Sequence, residues 1–426
     1  MNILINTFGT RGDIQPFIAL GQGLQAAGHA VGLCTSEGYR PFVESNGLRY
    51  VHMDNTMLEI AQSAIGDVPN KRDAMGMIKR MSSAMKLMMQ DEWRAAQSLQ
   101  PDVIIYHPKC VGSIHVAEKL GIPAILSIPL PFYTPTRNFP VPFLAKNPLG
   151  ARFNRLTYVM HRVQSAMFGG IINDFRRQTL GLPGQSRFAD VLMRENGEPV
   201  PVLYPFSPHV VPVPADYPPH VHVTGYWFMD RDDDWLPDPA LATFLEAGPP
   251  PVYVGFGSMP FQKQAAARTR SILDALAATG QRGVLASGWG GLKAGDLPGS
   301  IFMLESAPHD WLFPRVSAVV HHGGAGTTAA GLRAGKPTII CPFLGDQPFW
   351  GEVVYARGVG PRPISQLKLT AETLTAALTA VVTDREMQAK AAALGEQIRA
   401  EDGVDRAVGI IEAIGVRASA PQPLSL

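Results

Sequence analysis

The sequence predicts an α/β protein of two doubly wound domains, and three observations carry that prediction. At about 100–200 residues per domain, a chain of 426 residues leaves room for two ordinary domains, each burying its own core. Short apolar runs alternate with helical stretches, the pattern of a parallel sheet with crossover helices, and the alternation starts afresh in the second half. In each half a glycine-rich loop follows an apolar run and opens a helical stretch, at the strand ends where open α/β sheets bind ligands.

The first run, Asn2–Asn6, has neither the basic segment nor the apolar length of a signal peptide and reads as a buried first strand. Ile14, Phe17, Ile18, Gly21 and Leu24 then recur at helical spacing, which predicts an amphipathic helix starting just after Gly12 and ending at Gly28. Further strands follow at 30–35, Val103–Tyr106 and 124–128. Residues 74–93 form a helical stretch holding Met75, Met77, Met81, Met85, Met88 and Met89. Methionine is flexible and polarisable, so this cluster either packs as ordinary core or lines an adaptable apolar pocket. Phe132, Tyr133, Phe139 and Phe143 come next, in a proline-broken segment too irregular for a core helix, and with the methionines they suggest an apolar cleft.

The alternation restarts with runs at 251–255, Gly283–Ala286, 300–304, Ala318–His321 and 337–341. These readings divide the chain into a first domain over 1–225, a proline- and acid-rich linker over 226–240 and a second domain over 241–403. An amphipathic helix over 404–416 and a disordered tail over 417–426 complete it. With 46% hydrophobic residues, 17% charged and a net charge of +1, nothing asks for nucleic acid. No run reaches the length of a membrane span, although peripheral membrane contact stays open. Cys34, Cys110 and Cys341 form no CxxC, so neither a zinc site nor a disulfide framework is suggested, and a cytoplasmic protein is expected.

Four loops carry candidate chemistry. After the first strand come Gly9, Thr10, Arg11, Gly12 and Asp13, which lack the third glycine of a dinucleotide fingerprint and put a carboxylate where phosphate would approach. Asp13 is either a general base for a substrate hydroxyl or a helix cap. A helix N-terminus would weaken it as a base, and burial would strengthen it. His322, Gly323, Gly324, Ala325, Gly326, Thr327 and Thr328 start a helix whose free N–H groups suit an anion. The threonine hydroxyls and a His322 imidazole would add donors there, and phosphate binding outweighs a structural role for the histidine. Asp346 and Gln347 offer acceptors and donors matching sugar hydroxyls, or are turn residues. Ser258, after the run at 251–255, is a further candidate phosphate contact. His107 could assist an acceptor, with a structural role the simpler reading. The spacing within Asp232, Asp233 and Asp234 matches a manganese-binding DxD, but it falls in a proline-flanked linker rather than at a strand end, so no metal site is assigned.

GTRGDIQP, VYVGFGSMP, APHDWLF, HHGGAGTT and PFLGDQPFW, in this order, resemble the family of sterol glucosyltransferases and antibiotic glycosyltransferases over nearly the whole chain. The resemblance implies the GT-B fold, two facing Rossmann-like domains around an interdomain cleft. It also implies an inverting, metal-independent transfer of a hexose from a nucleotide sugar, UDP-glucose by default, with no other cofactor. By position it makes Asp13 the base and gives His322, Gly324, Gly326, Thr327 and Ser258 to the diphosphate. Asp346 and Gln347 take the donor sugar, and Ala307 to His309 lie along the nucleotide's base. Met81, Met85, Phe132, Tyr133 and His107 fall on the acceptor side, where sterols, polyketides, phenolics and glycopeptides all stay open. Ser306 and Ala330 stand where plant enzymes of the superfamily place a stacking Trp and a ribose-binding Glu, which leaves uridine and thymidine both open. A nucleotide-sugar epimerase and a non-catalytic partner protein are the alternatives of other classes.

Overall fold

Asn2–Asn6 illustrates how the sequence builds the first sheet. Ile3, Leu4 and Ile5 are fully buried, yet Leu4 joins one core cluster and its two neighbours the other, as alternate side chains of a strand covered on both faces must. The computed structural model describes residues 1–63, 71–144, 150–230, 235–256, 265–286 and 297–419. Among them, β1 (Asn2–Asn6), β2 (Ala30–Ser36), β3 (Arg49–Met53), β4 (Val103–Tyr106), β5 (Ala124–Ser127), β6 (Val202–Tyr204) and β7 (Val221–Val223) form a parallel sheet ordered β3-β2-β1-β4-β5-β6-β7. A second parallel sheet has the order β10-β9-β8-β11-β12. Its strands are β8 (Val252–Gly255), β9 (Gly283–Ala286), β10 (Ile301–Leu304), β11 (Ala318–His321) and β12 (Thr338–Ile340). The two-sheet α/β architecture expected from the alternation is present.

In both sheets the strand order reverses beside the first strand, between β1 and β4 and between β8 and β11. Adjacent crossovers there run to opposite faces, so the loops at the strand ends part and leave a crevice. The chain therefore exposes the loops after β1, β4 and β11 to ligand for topological reasons alone.

The helix Arg11–Ala26 buries Ile14, Phe17, Ile18, Gly21 and Leu24, the predicted face, and Gly28 leaves it with φ +87. The helix Lys71–Leu99 carries the methionines, and both readings of them are realised. Met89 is fully buried core, whereas Met81, Met85 and Met88 line a cleft.

Two segments differ from expectation. Tyr226 and Trp227, placed in the linker, are buried. The Trp227 indole N–H donates to Thr224 Oγ1 (3.1 Å) and to the Gly403 carbonyl (3.2 Å), and its ring meets Phe17 edge-on at 5.9 Å. A large ring with one polar handle is thus spent tying the crossover to the first domain. The last helix runs Gly403–Ser419, further than 404–416, and returns to the first domain, where Ala407, Val408 and Ile411 share a core with Ile14, Phe17 and Leu24. A Cβ on Gly23 would collide with Val404, so that packing requires glycine there. Residues 420–426 lie outside the described residues.

Candidate active site

A continuous cleft of about 2080 Å³ runs between the two sheets and is lined from both. At its centre is Asp13, in the third position of the first helix. The Thr10 backbone N–H donates to Asp13 Oδ2 at 2.7 Å, which is the reach-back half of a capping box. Lys109 Nζ donates to the other oxygen, Oδ1, at 2.8 Å, and His107 Nε2 lies 3.6 Å from it. Cap and cleft carboxylate are therefore the same group, one oxygen serving each role.

Both partners of Oδ1 come from the loop after β4, the strand beside β1. Gly9, at φ +142, makes the meeting possible, since a Cβ there would stand 2.6 Å from Asp13 Cγ and 2.8 Å from Lys109 Nζ. Burial pushes the Asp13 carboxyl up, but Lys109, His107 and the Thr10 amide together outweigh it and hold the group below its ordinary range. His107, buried and next to Lys109, is pushed down to about 3 and is neutral at pH 7. Its Nδ1 accepts from the Lys109 backbone N–H at 3.2 Å, so the ring proton sits on Nε2, the atom facing Asp13. Sequence reasoning found His107 and missed Lys109, although the loop after the strand next to β1 was the place to look.

The second domain supplies a concentration of small residues and N–H groups. After β11 the backbone turns at Gly323 (φ +94), where a Cβ would meet Ile340 Cγ2 at 2.7 Å and the Gln347 carbonyl at 3.0 Å. Gly324 caps the helix Ala325–Arg333, whose first amides have no intrahelical partner. A Cβ on Gly324 would stand 2.6 Å from His322 Nε2, so the imidazole lies directly over the glycine that caps the helix. Burial pushes His322 down to about 4, leaving it neutral, and its Nδ1 is buried with no hydrogen-bond partner among the described residues. Gly324, Gly326 and Thr327 line the cleft. Thr328 does not act as expected, because its hydroxyl is buried and donates to the Gly324 carbonyl at 2.9 Å.

Asp346 and Gln347 open the helix Gln347–Ala356 on the same wall. The Trp350 indole N–H holds Asp346 Oδ2 at 2.9 Å. Burial raises the Asp346 carboxyl, the Trp350 bond opposes that, and Asp13 across the cleft raises it further. Gln347 is part turn chemistry after all: its Oε1 accepts from the Phe343 and Leu344 amides at 2.8 and 3.3 Å, which commits one end of the side chain to the loop. Ala307, His309, Ser306 and Ala330 also line the cleft, and His309 stacks on Phe313 at 4.2 Å. Ser258 and Asp232 to Asp234 lie outside the described residues, among which no group of three or more His, Cys, Asp and Glu side chains could hold a metal ion.

On the first-domain side the lining is apolar. Met81, Met85, Phe132 and Tyr133 are joined by Phe143, Phe168 and Ile172. His161, which sequence reasoning passed over, stacks on Tyr133 at 4.5 Å and donates from Nε2 to the Phe132 carbonyl at 2.6 Å. It fixes both rings at once. A wall of aromatic and thioether groups with Asp13 on one side and N–H groups with Asp346 on the other suits a lipophilic molecule meeting an anionic, hydroxylated one.

Residues 3–137 match the family described as glycosyltransferase family 28 N-terminal domain, and residues 271–414 match the erythromycin biosynthesis protein CIII-like C-terminal domain. Two sterol 3-beta-glucosyltransferases of Arabidopsis thaliana are similar over 423 residues. One is 38% identical, with 96% of this chain and 67% of that protein covered; the other is 39% identical, with 96% and 64% covered. A sterol 3-beta-glucosyltransferase of Emericella nidulans is 37% identical over 430 residues, 96% of this chain and 30% of that protein. The chain thus spans about two thirds of the length of the plant relatives and under a third of the fungal one. The fold is shared with solved structures. The calicheamicin glycosyltransferase CalG4 aligns at TM-score 0.73 and 17% identity, covering 99% of this chain and 100% of that one. The glycotransferase of kitacinnamycin aligns at TM-score 0.71 and 20% identity, covering 97% and 98%.

Proposed function

This chain belongs to the GT-B glycosyltransferase family that includes the sterol 3-beta-glucosyltransferases, and from that premise we propose that it moves glucose from UDP-glucose, with inversion, onto a hydroxyl of a sterol-like acceptor. The observation that carries the proposal is the position of Asp13, a carboxylate of the apolar half that lines the same cleft as Asp346 of the polar half and raises its carboxyl.

Asp13 takes the proton of the acceptor hydroxyl as that oxygen attacks the anomeric carbon. The bond from that carbon to the diphosphate breaks on the opposite face, and the negative charge moves onto the diphosphate. The amides opening Ala325–Arg333 and a neutral His322 donate to it. Asp346 and the free end of Gln347 hold the sugar hydroxyls. Since the leaving group is good, positioning and electrostatics supply most of the acceleration. Lys109 keeps Asp13 ionised until the acceptor arrives, and the acceptor's apolar body then removes water and strengthens the base.

One test is mass spectrometry of reactions pairing uridine and thymidine diphosphate sugars with sterol, flavonoid and macrolide acceptors in the presence of chelator. A sterol heavier by one hexose, formed from UDP-glucose, is the expected product. Donor converted to an isomeric nucleotide sugar without acceptor would sink the transferase reading in favour of an epimerase. Lys109→Met is expected to move the acid limb of the kcat/KM profile to higher pH, because the opposite charge at ion-pair distance that holds the Asp13 carboxyl down is removed and its burial is left to raise it. An unmoved limb would mean that Lys109 does not tune the base.

A further inference from the structure

The helix Met160–Phe175 and the shorter helix Ala151–Thr157 before it have two apolar faces, of which the cleft uses one. His161, Ser165, Phe168 and Ile172, spaced by one helical turn or two, line the cleft. On the other side Phe153, Leu156, Met160, Val163 and Met167 recur at intervals of three and four and are between 46% and 75% exposed. Large apolar side chains scattered singly on a surface need no explanation, but a continuous stripe at helical period does. No helix among the described residues is long and apolar enough to cross a membrane.

Charge identifies what such a stripe meets. The chain as a whole is nearly neutral, yet no Asp or Glu occurs between Glu118 and Asp174. Arg152, Arg155 and Arg162 sit exposed among the apolar residues, Arg162 reaching Asp190 at 2.9 Å. A helix lying in a bilayer interface combines an exposed apolar stripe with arginines that reach lipid phosphate in this way, its apolar face sinking about 5–10 Å. Phe143, half exposed, lines the cleft against Phe132, whose ring in turn meets His161 of the longer helix.

We propose that the outer face of these two helices docks on an anionic phospholipid surface, so that the wall of the apolar half of the cleft is also the wall resting on lipid. The inference rests on the proposed function only for its purpose, the delivery of a lipophilic acceptor from a bilayer; the surface itself is argued from exposure, period and charge.

Co-sedimentation of the full chain with phosphatidylcholine vesicles, with and without about 30% phosphatidylglycerol, tests it in the absence of donor and acceptor. The wild-type chain is expected to pellet with the anionic vesicles, less so as salt is raised. The combined variant Leu156→Ser, Met160→Ser, Val163→Ser should bind them roughly tenfold or more weakly, and Arg152→Glu with Arg155→Glu similarly. Unchanged thermal unfolding of both variants would confirm that exposed positions were altered without harm to the fold. Absence of wild-type binding, or equal binding by the variants, overturns the proposal. A wild-type dimer in sedimentation velocity that the serine variant dissociates also overturns it, assigning the stripe to a second copy of the chain. Because no turnover is read, a failed glycosyl-transfer assay leaves this outcome intact, and the reverse also holds.

Discussion

Replacing Asp13 by asparagine is expected to lower turnover by about 10²–10⁴-fold while leaving affinity for the nucleotide sugar nearly unchanged, since that is the range general-base catalysis supplies. The substitution is nearly isosteric and keeps an oxygen for the Thr10 amide, so the helix start persists. What it removes is the acceptance of a proton. Lys109 then loses its ion-pair partner, but it is a half-exposed side chain that water can satisfy, so little stability is lost. Steady-state kinetics with saturating donor, together with titration of UDP binding by calorimetry, separates the two effects. Retention of near-normal turnover would transfer the role of base to another group, and neutral His107, 3.6 Å from Asp13 Oδ1, would be the first to examine.

Asp13 was legible because its signal is local, an acid in a glycine loop between a strand and a helix. The same holds for β1, the first helix and the glycine turn after β11, whose periods and punctuation lie within a few residues of one another. Lys109 was not legible. Its pairing with Asp13 depends on β4 lying beside β1, and 96 residues separate the two in the chain. Thr328 and Gln347 were noticed for their polar atoms, but these are partly spent on backbone three or four residues earlier, a local competition that residue type alone does not decide. The strands β6 and β7 escaped notice because three residues each is too short for a period to declare itself, and Pro201 and Pro205 flank the first while Pro218 and Pro219 precede the second. Trp227 was misplaced for a similar reason, since a proline- and acid-rich neighbourhood reads as linker whether or not one ring in it finds a core.

Replacing His322 by alanine is expected to lower kcat/KM for the donor by roughly 10²–10³-fold, the usual effect of removing one preorganised donor to a developing negative charge. Affinity for the free nucleoside diphosphate should fall much less, because the amides opening Ala325–Arg333 remain. The imidazole acts as a neutral donor, since burial pushes it down to about 4, below the value near 6.5 it has in water. That assignment fixes the pH behaviour. Protonation of His322 in the folded protein belongs to the region around pH 4, so the ratio of wild-type to variant activity should be constant from about pH 6 to 9. A ratio that falls as pH rises through 6 to 7 would instead mean that a charged imidazole stabilises the leaving group. Glutamine is the discriminating control, because it keeps an N–H donor without a titratable ring and should recover part of the loss at every pH.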